Sequence, residues 1–253
     1  MEKEREVSEE TEYLFDKTME CPVCGKSFRT KQVKASKAKF LGTEMDLRPI
    51  YRGIDTVKYD AVVCINCGYA AIMRDFDAVS DNQIKKIKEN ISKNFKSPGE
   101  CEGAYSYNLA IQRYKLALYV SMLKIDKKSD IAYLCLKIAW LYRGFQKNIP
   151  ESDPDYTRKI SSLKEAENQY IEKAYKGFLK ALGSEQPPFC GIPDTTFNYM
   201  MADLARQCRE YENAEHFIFD VLSDKSSGAK LKEKAREELE AIRKDKGKTG
   251  EEQ

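Results

Sequence analysis

Two cysteine pairs, Cys21-Pro-Val-Cys24 and Cys64-Ile-Asn-Cys67, carry the strongest chemistry in this chain, and each is followed at once by a glycine, Gly25 and Gly68. Two cysteines three apart can aim both sulfurs at one ion only when the backbone between them closes into a tight knuckle, which glycine at positive φ permits. Pro22 pre-sets one of those turns. Two knuckles supply four thiolates. A closed tetrahedral sulfur site suits one structural zinc ion, with iron the competitor on ligand type, and leaves no coordination position open for catalysis. Cys21, Cys24, Cys64 and Cys67 are therefore the expected metal ligands. Ordinary buried thiols or disulfides are the plainer alternatives, and the doubled CxxCG pattern speaks against both.

The elements that must position these knuckles change character near residue 80. From Cys21 to Asp77 the chain reads as short strands and turns, at Ser27–Val33, around Lys39–Leu41 and over Val57–Val63, which leads straight into the second knuckle. A β module this small needs its metal to hold together. Beyond Ser80 long amphipathic helical patterns take over. The expected fold is mainly α and α+β overall. It comprises an acidic tail over residues 1–20, a zinc-ribbon-like module with four cysteine ligands over 21–79, tetratricopeptide-like antiparallel helical hairpins over 80–246 and a charged tail over 247–253.

The helices carry a recurring frame. Ala110, Tyr114 and Ala117 are spaced as Ala174, Phe178 and Ala181 are, and as Ala214, Ile218 and Val221 are, each followed by a leucine. This is the second-helix pattern of a tetratricopeptide repeat, in which small residues let paired helices approach and the large side chain fills the gap. First-helix partners are Ile138, Ala139 and Tyr142 in one place and Met201, Ala202 and Ala205 in another. The frames recur unevenly, against a regular step of about 34 residues. Insertions at Asn148–Tyr156 and Gln186–Pro193 account for the excess, and a generic bundle of hairpins is the alternative. Ser227–Arg243 reads as a final capping helix.

Composition bears on the setting. The start of the chain, MEKEREVSEETEYLF, has no apolar signal-like stretch, and no apolar run is long enough to cross a bilayer, so a cytoplasmic protein without membrane contact is expected. Reduced thiols follow from that compartment. Cys101, Cys135, Cys190 and Cys208 are expected to be free, with Cys135 and Cys208 in helical cores and Cys101 and Cys190 in loop-like sequence. For catalysis the chain offers one histidine, His216, and no nucleophile elbow, phosphate loop or dinucleotide fingerprint. Its 41 acidic residues alternate with 43 basic ones as on solvated helix faces, and a non-enzymatic protein is expected.

Taken together the residues resemble the bacterial proteins grouped as domain of unknown function 2225. The resemblance is carried by ECPVCGKSF, by the block YRGID…KYDAVVCINCGYAA and by the aromatic-rich helices that follow. It implies a cysteine-rich, zinc-binding N-terminal module joined to tetratricopeptide-like helices, and it implies no activity.

Three functional classes compete on these residues. In the first, stacked hairpins present a groove to a protein or peptide partner, with Asn198, Arg206 and Arg209, and with them Lys137 and Arg143, as groove-facing candidates. The second is nucleic-acid binding through the β module, where Lys26, Arg29, Lys31, Lys34 and Lys37 belong to a segment holding nine basic side chains against three acidic ones. A plainer account of that excess is compensation of the net negative thiolate cluster and protection of an exposed strand edge. The third is electron transfer by iron held in rubredoxin-like knuckles. Neither the partner's identity nor the oligomeric state is encoded in any motif.

Overall fold

The computed structural model describes residues 10–251, with side chains through residue 247. Six short strands come first: β1 (Leu14–Glu20), β2 (Ser27–Val33), β3 (Phe40–Thr43), β4 (Pro49–Tyr51), β5 (Ala61–Val63) and β6 (Ala70–Ile72). They form three separate two-stranded sheets, β1 with β2, β3 with β4 and β5 with β6. Seven α-helices follow: α1 (Asp81–Ile87, continued by a π turn to Ser92), α2 (Tyr107–Lys124), α3 (Lys128–Lys147), α4 (Tyr156–Leu182), α5 (Asp194–Gln207), α6 (Tyr211–Ser223) and α7 (Ala229–Glu251). The chain is mainly α with a small β module at its start.

Strand β2 covers the stretch expected from sequence, with Phe28 and Thr30 turned in and Ser27 and Arg29 turned out. The expected strand over Val57–Val63 is corrected: only Ala61–Val63 is strand, and Thr56–Tyr59 is a 3-10 turn. Its cause is local, because the Asp55 carboxylate accepts from the Val57 N–H at 3.2 Å and caps a turn that β-branched propensity had disguised. The acidic start also differs from a tail. Residues 1–9 lie outside the described residues, but Leu14–Glu20 is strand β1, antiparallel to β2 from Leu14 opposite Val33 to Glu20 opposite Ser27. Glu10 is held as well, its carboxylate taking Lys58 Nζ and the Tyr59 hydroxyl. At the other end the α7 backbone continues to Glu251, into the stretch expected as a charged tail.

The chain divides into two compact units. The first holds the chain through Gly42, Pro49–Asp126 and Trp140–Lys164; the second holds Thr43–Arg48, Lys127–Ala139 and the chain from Glu165 onward. The break near residue 80 separates strand-rich from helix-rich sequence, whereas the compact units group α1 and α2 with the strands.

In the first unit, Ser80 opens α1 with a reciprocal cap on Gln83, whose amide also donates to the Lys124 carbonyl at 3.1 Å. Ser106 opens α2 by accepting from the Leu109 N–H, and Ile125 closes it in the left-handed conformation. The buried face of α2 carries Ala110, Tyr114 and Ala117, and the Tyr114 hydroxyl donates to the Val57 carbonyl at 2.9 Å. In this frame the aromatic therefore reaches the β module. Tyr69 and Phe76 pack at 5.0 Å, Phe28 lies 5.8 Å from Phe76, and the Tyr69 hydroxyl donates to the Phe76 carbonyl at 2.8 Å.

In the second unit, α4 buries Ile171, Ala174, Phe178 and Ala181 at helical spacing, and Phe178 meets Phe197 of α5 edge to face at 5.3 Å. Gly177 allows α4 to close on α3, since a Cβ there would fall 2.8 Å from Ala132 Cβ. Helices α5 and α6 form a hairpin across the turn at Cys208–Glu210, where Arg209 takes positive φ and Glu210 N–H donates back to the Ala205 carbonyl. Ala202, Ala205, Ala214, Ile218 and Val221 are all fully buried. Ala214→Leu is accordingly expected to overpack this unit and cost about 1–3 kcal/mol, read as a lower midpoint in denaturant. An unchanged midpoint would place Ala214 away from a tight contact.

Candidate metal centre

Each cysteine pair forms the tip of a β-hairpin, the first between β1 and β2 and the second between β5 and β6. The two tips are built alike. In the first, Cys21 N–H donates to the Lys26 carbonyl and Gly25 N–H to the Cys21 carbonyl; in the second, Cys64 N–H donates to the Tyr69 carbonyl and Gly68 N–H to the Cys64 carbonyl. Gly25 and Gly68 sit at φ +68° and +76°, the left-handed conformation the knuckle requires. Gly68 is constrained a second time, because a Cβ there would fall 2.5 Å from Phe95 Cδ2 and 3.0 Å from Ile91 Cγ2. The Asn66 side chain ties the tips together by donating to the Ser27 carbonyl at 3.2 Å. Neither the Asn66 tie nor the approach of Phe95 leaves a signal in the sequence, since each depends on residues distant along the chain.

The four sulfurs lie within 4.8 Å of one another, with Cys21 Sγ 3.6 Å from Cys67 Sγ and Cys24 Sγ 3.8 Å from Cys64 Sγ. Tetrahedral coordination at a metal–sulfur distance of about 2.3 Å sets sulfurs about 3.8 Å apart, whereas a disulfide would need about 2.05 Å. The geometry fits a tetrathiolate metal site. Cys21 and Cys64 are fully buried, Cys67 nearly so and Cys24 partly exposed. Backbone N–H groups of Val23 and Cys24 face the Cys21 sulfur, those of Asn66 and Cys67 the Cys64 sulfur and that of Tyr69 the Cys67 sulfur. Hydrogen bonds from Cys21 and Cys67 hold the Cys64 thiol far below its ordinary value, while Cys21 and Cys67 are pushed up in return. Four thiols crowded this closely cannot all ionise unless a cation replaces their protons.

Part of the basic charge around this module is answered by acids. Arg29 pairs with Glu100, Lys31 with Asp16 at 2.9 Å, and Lys58 with Glu10, while Lys34 Nζ donates to the Glu12 carbonyl at 3.2 Å. Lys26 and Lys37 are exposed. Because the answering acids come from outside the basic segment, counting along the sequence overstates the local positive charge.

The groove candidates are distributed as follows. Lys137 lies 4.9 Å over the Tyr133 ring, Asn198 is half-buried on α5 and Arg209 is exposed at the α5–α6 turn, all in the second unit, while Arg143 is half-buried in the first. Arg206 is already engaged, donating to Asp203 at 2.6 Å, Glu238 at 2.6 Å and Asp245 at 2.9 Å. His216 is exposed, 3.5 Å from the Asp220 carboxylate. Of the remaining cysteines, Cys135 is buried in α3 as expected, whereas Cys208 is half-buried in the α5–α6 turn and not in a helical core; burial pushes both up to about 11, and Cys190 Sγ donates to the Ser129 carbonyl at 3.2 Å. Among the described residues no helix is long and apolar enough to cross a membrane.

No curated protein and no solved structure matches the chain. A family model described as an uncharacterized protein conserved in bacteria (DUF2225) matches residues 14–242, a span that takes in both knuckles and all but the end of α7, and the chain belongs to that family.

Proposed function

We propose that this is a non-enzymatic, cytoplasmic interaction protein: one zinc ion in the Cys21, Cys24, Cys64 and Cys67 site staples a zinc-ribbon-like module, and tetratricopeptide-like hairpins bind a protein or peptide partner. The observation that carries the metal role is closure of the site, with four sulfurs within 4.8 Å of one another and three of them buried. A structural ion needs such a shell, and a catalytic one needs a gap in it. The alanine-lined hairpin of α5 and α6 supports the repeat reading, because fully buried small residues at Ala202, Ala205 and Ala214 are what close helix pairing demands. Asn198 and Arg209, on the same hairpin, are the side chains assigned to the partner.

The test is capture of tagged full-length protein from crosslinked native cells with and without nuclease, with metal analysis of the purified chain. The reading expects colourless protein with one zinc per chain and a discrete protein partner that survives nuclease and is lost in an Asn198→Ala, Arg209→Ala variant. Coloured protein with a reversible redox change would move the function to iron electron transfer. Recovery dominated by nuclease-sensitive RNA or DNA would move it to the basic face of the module.

A further inference from the structure

The first unit contains a cavity of about 860 Å3, bordered by β2, by the loop from Phe95 to Gly103 and by one face of α2. That volume falls within the range of roughly 300–1,000 Å3 typical of small-molecule sites. Ile65, Phe95, Leu109 and Leu116 give the cavity an apolar wall. Arg113 gives it a charge of an unusual kind. Its Nε and Nη2 donate to the Ala61 carbonyl at 3.2 and 3.0 Å, Nη2 also donates to Thr30 Oγ1 at 3.2 Å, and the guanidinium lies 4.5 Å over the Tyr105 ring. Every one of these partners is neutral. No carboxylate among the described residues pairs with Arg113, and its Nη1 makes no hydrogen bond to them, although burial already depresses the guanidinium's pKa.

The other cations in the wall differ. Arg29 is paired with Glu100 and Lys31 with Asp16, so the uncompensated charges facing the cavity are Arg113 and Lys96 against Glu102. A desolvated cation without a counter-ion is costly, and an anion arriving at its open edge recovers much of that cost. The Tyr105 hydroxyl accepts from the Lys31 N–H at 3.0 Å and lies 3.4 Å from Thr30 Oγ1, which ties the ring under Arg113 to β2.

We propose that this cavity is a binding site for a small organic anion, one acidic group on an apolar body, with Arg113 taking the acidic group and the Phe95, Leu109 and Leu116 wall taking the body. The site lies within one unit and depends on neither the partner nor the identity of the metal.

The test uses the full-length, metal-replete chain and two dyes of nearly one shape: the anionic 8-anilinonaphthalene-1-sulfonate and the uncharged N-phenyl-1-naphthylamine. Two variants are compared with the parent, Arg113→Met, which removes the charge, and Gln112→Glu, which adds a carboxylate from an exposed side chain in the same wall. The expected result is one saturable site for the anionic dye, weakened roughly tenfold or more in both variants, while affinity for the neutral dye changes by less than about twofold. Gln112→Glu decides the matter alone should Arg113→Met fail to fold. Absence of saturable binding, equal loss for both dyes, or an unchanged affinity for the anionic dye in the folded variants would each overturn the proposal.

Discussion

A Cys64→Ser chain is expected to purify without its metal and with the β module unfolded, while much of the helical signal persists. Cys64 is fully buried and its sulfur accepts the hydrogen bonds of two of the other three cysteines, so serine there removes the group on which the cluster converges. Serine's hydroxyl stays protonated at neutral pH and does not replace a thiolate. The structural consequence follows from the sheets. A lone two-stranded hairpin is marginal in water, and this module has three of them with no strand shared between any two. What joins β1–β2 to β5–β6 is the sulfur cluster and the Asn66 tie, helped by Phe28 against Phe76 and by Arg113, which bridges Thr30 and the Ala61 carbonyl. Structural zinc sites contribute on the order of 10 kcal/mol to folding, more than a module of this size can supply from its core. Loss should spread to α2, whose Tyr114 and Arg113 bond to carbonyls of this module, and leave the second unit folded. Metal analysis and near-ultraviolet circular dichroism read the outcome. A variant that keeps the parent's metal stoichiometry and aromatic signal would remove Cys64 from the ligand set.

The cysteine cluster was legible because its chemistry is local: cysteine, two intervening residues, cysteine and glycine dictate a knuckle whatever surrounds it. Helix type was legible for the same reason, and the alanines at 110, 174 and 214, picked out by their spacing, are fully buried. What sequence left hidden is pairing at a distance. Strand β1 reads as an acidic tail because only Leu14 of its seven residues is buried, and its partner lies across the first knuckle. The basic excess of the module looked available for phosphate because its acids, Glu10, Asp16 and Glu100, lie outside the segment being counted. Arg113 sits in an ordinary amphipathic helix, and nothing in its neighbours along the chain distinguishes it from a solvated arginine. Arg206 is the reverse case: chosen from helix position as a residue open to a partner, it is held on three sides by acids from its own unit.

That arrangement makes Arg206→Met the second large effect, and one with a distinctive pH dependence. Asp203 and Glu238 are 2% and 0% exposed, and both depend on the Arg206 guanidinium for charge compensation. Even with Arg206 present, burial and then the neighbouring Asp203 push Glu238 up to about 7, and burial and then Asp46 raise Asp203. Removing one partner of a buried ion pair costs about 3–5 kcal/mol, because the other charge is left without compensation. At neutral pH the variant should therefore lose roughly 10–20 °C in the melting temperature of this unit. The sign with pH follows from proton counts. A carboxyl whose folded-state pKa is raised binds more protons in the native state than in the unfolded one, so between its ordinary value near 4.5 and about 7 stability falls as pH rises. Without Arg206 the raised values climb further and that window widens upward. The gap between parent and variant should thus be largest near pH 7.5 and narrow as the pH is lowered towards 5.5, where protonation relieves the unpaired carboxylates. Adding Glu238→Gln to Arg206→Met should recover part of the loss at pH 7.5 by removing one of those charges outright. Denaturant titrations of parent, single and double variants at the two pH values measure all of this, and a gap that stays constant with pH would mean that Arg206 serves this unit through packing and not through charge.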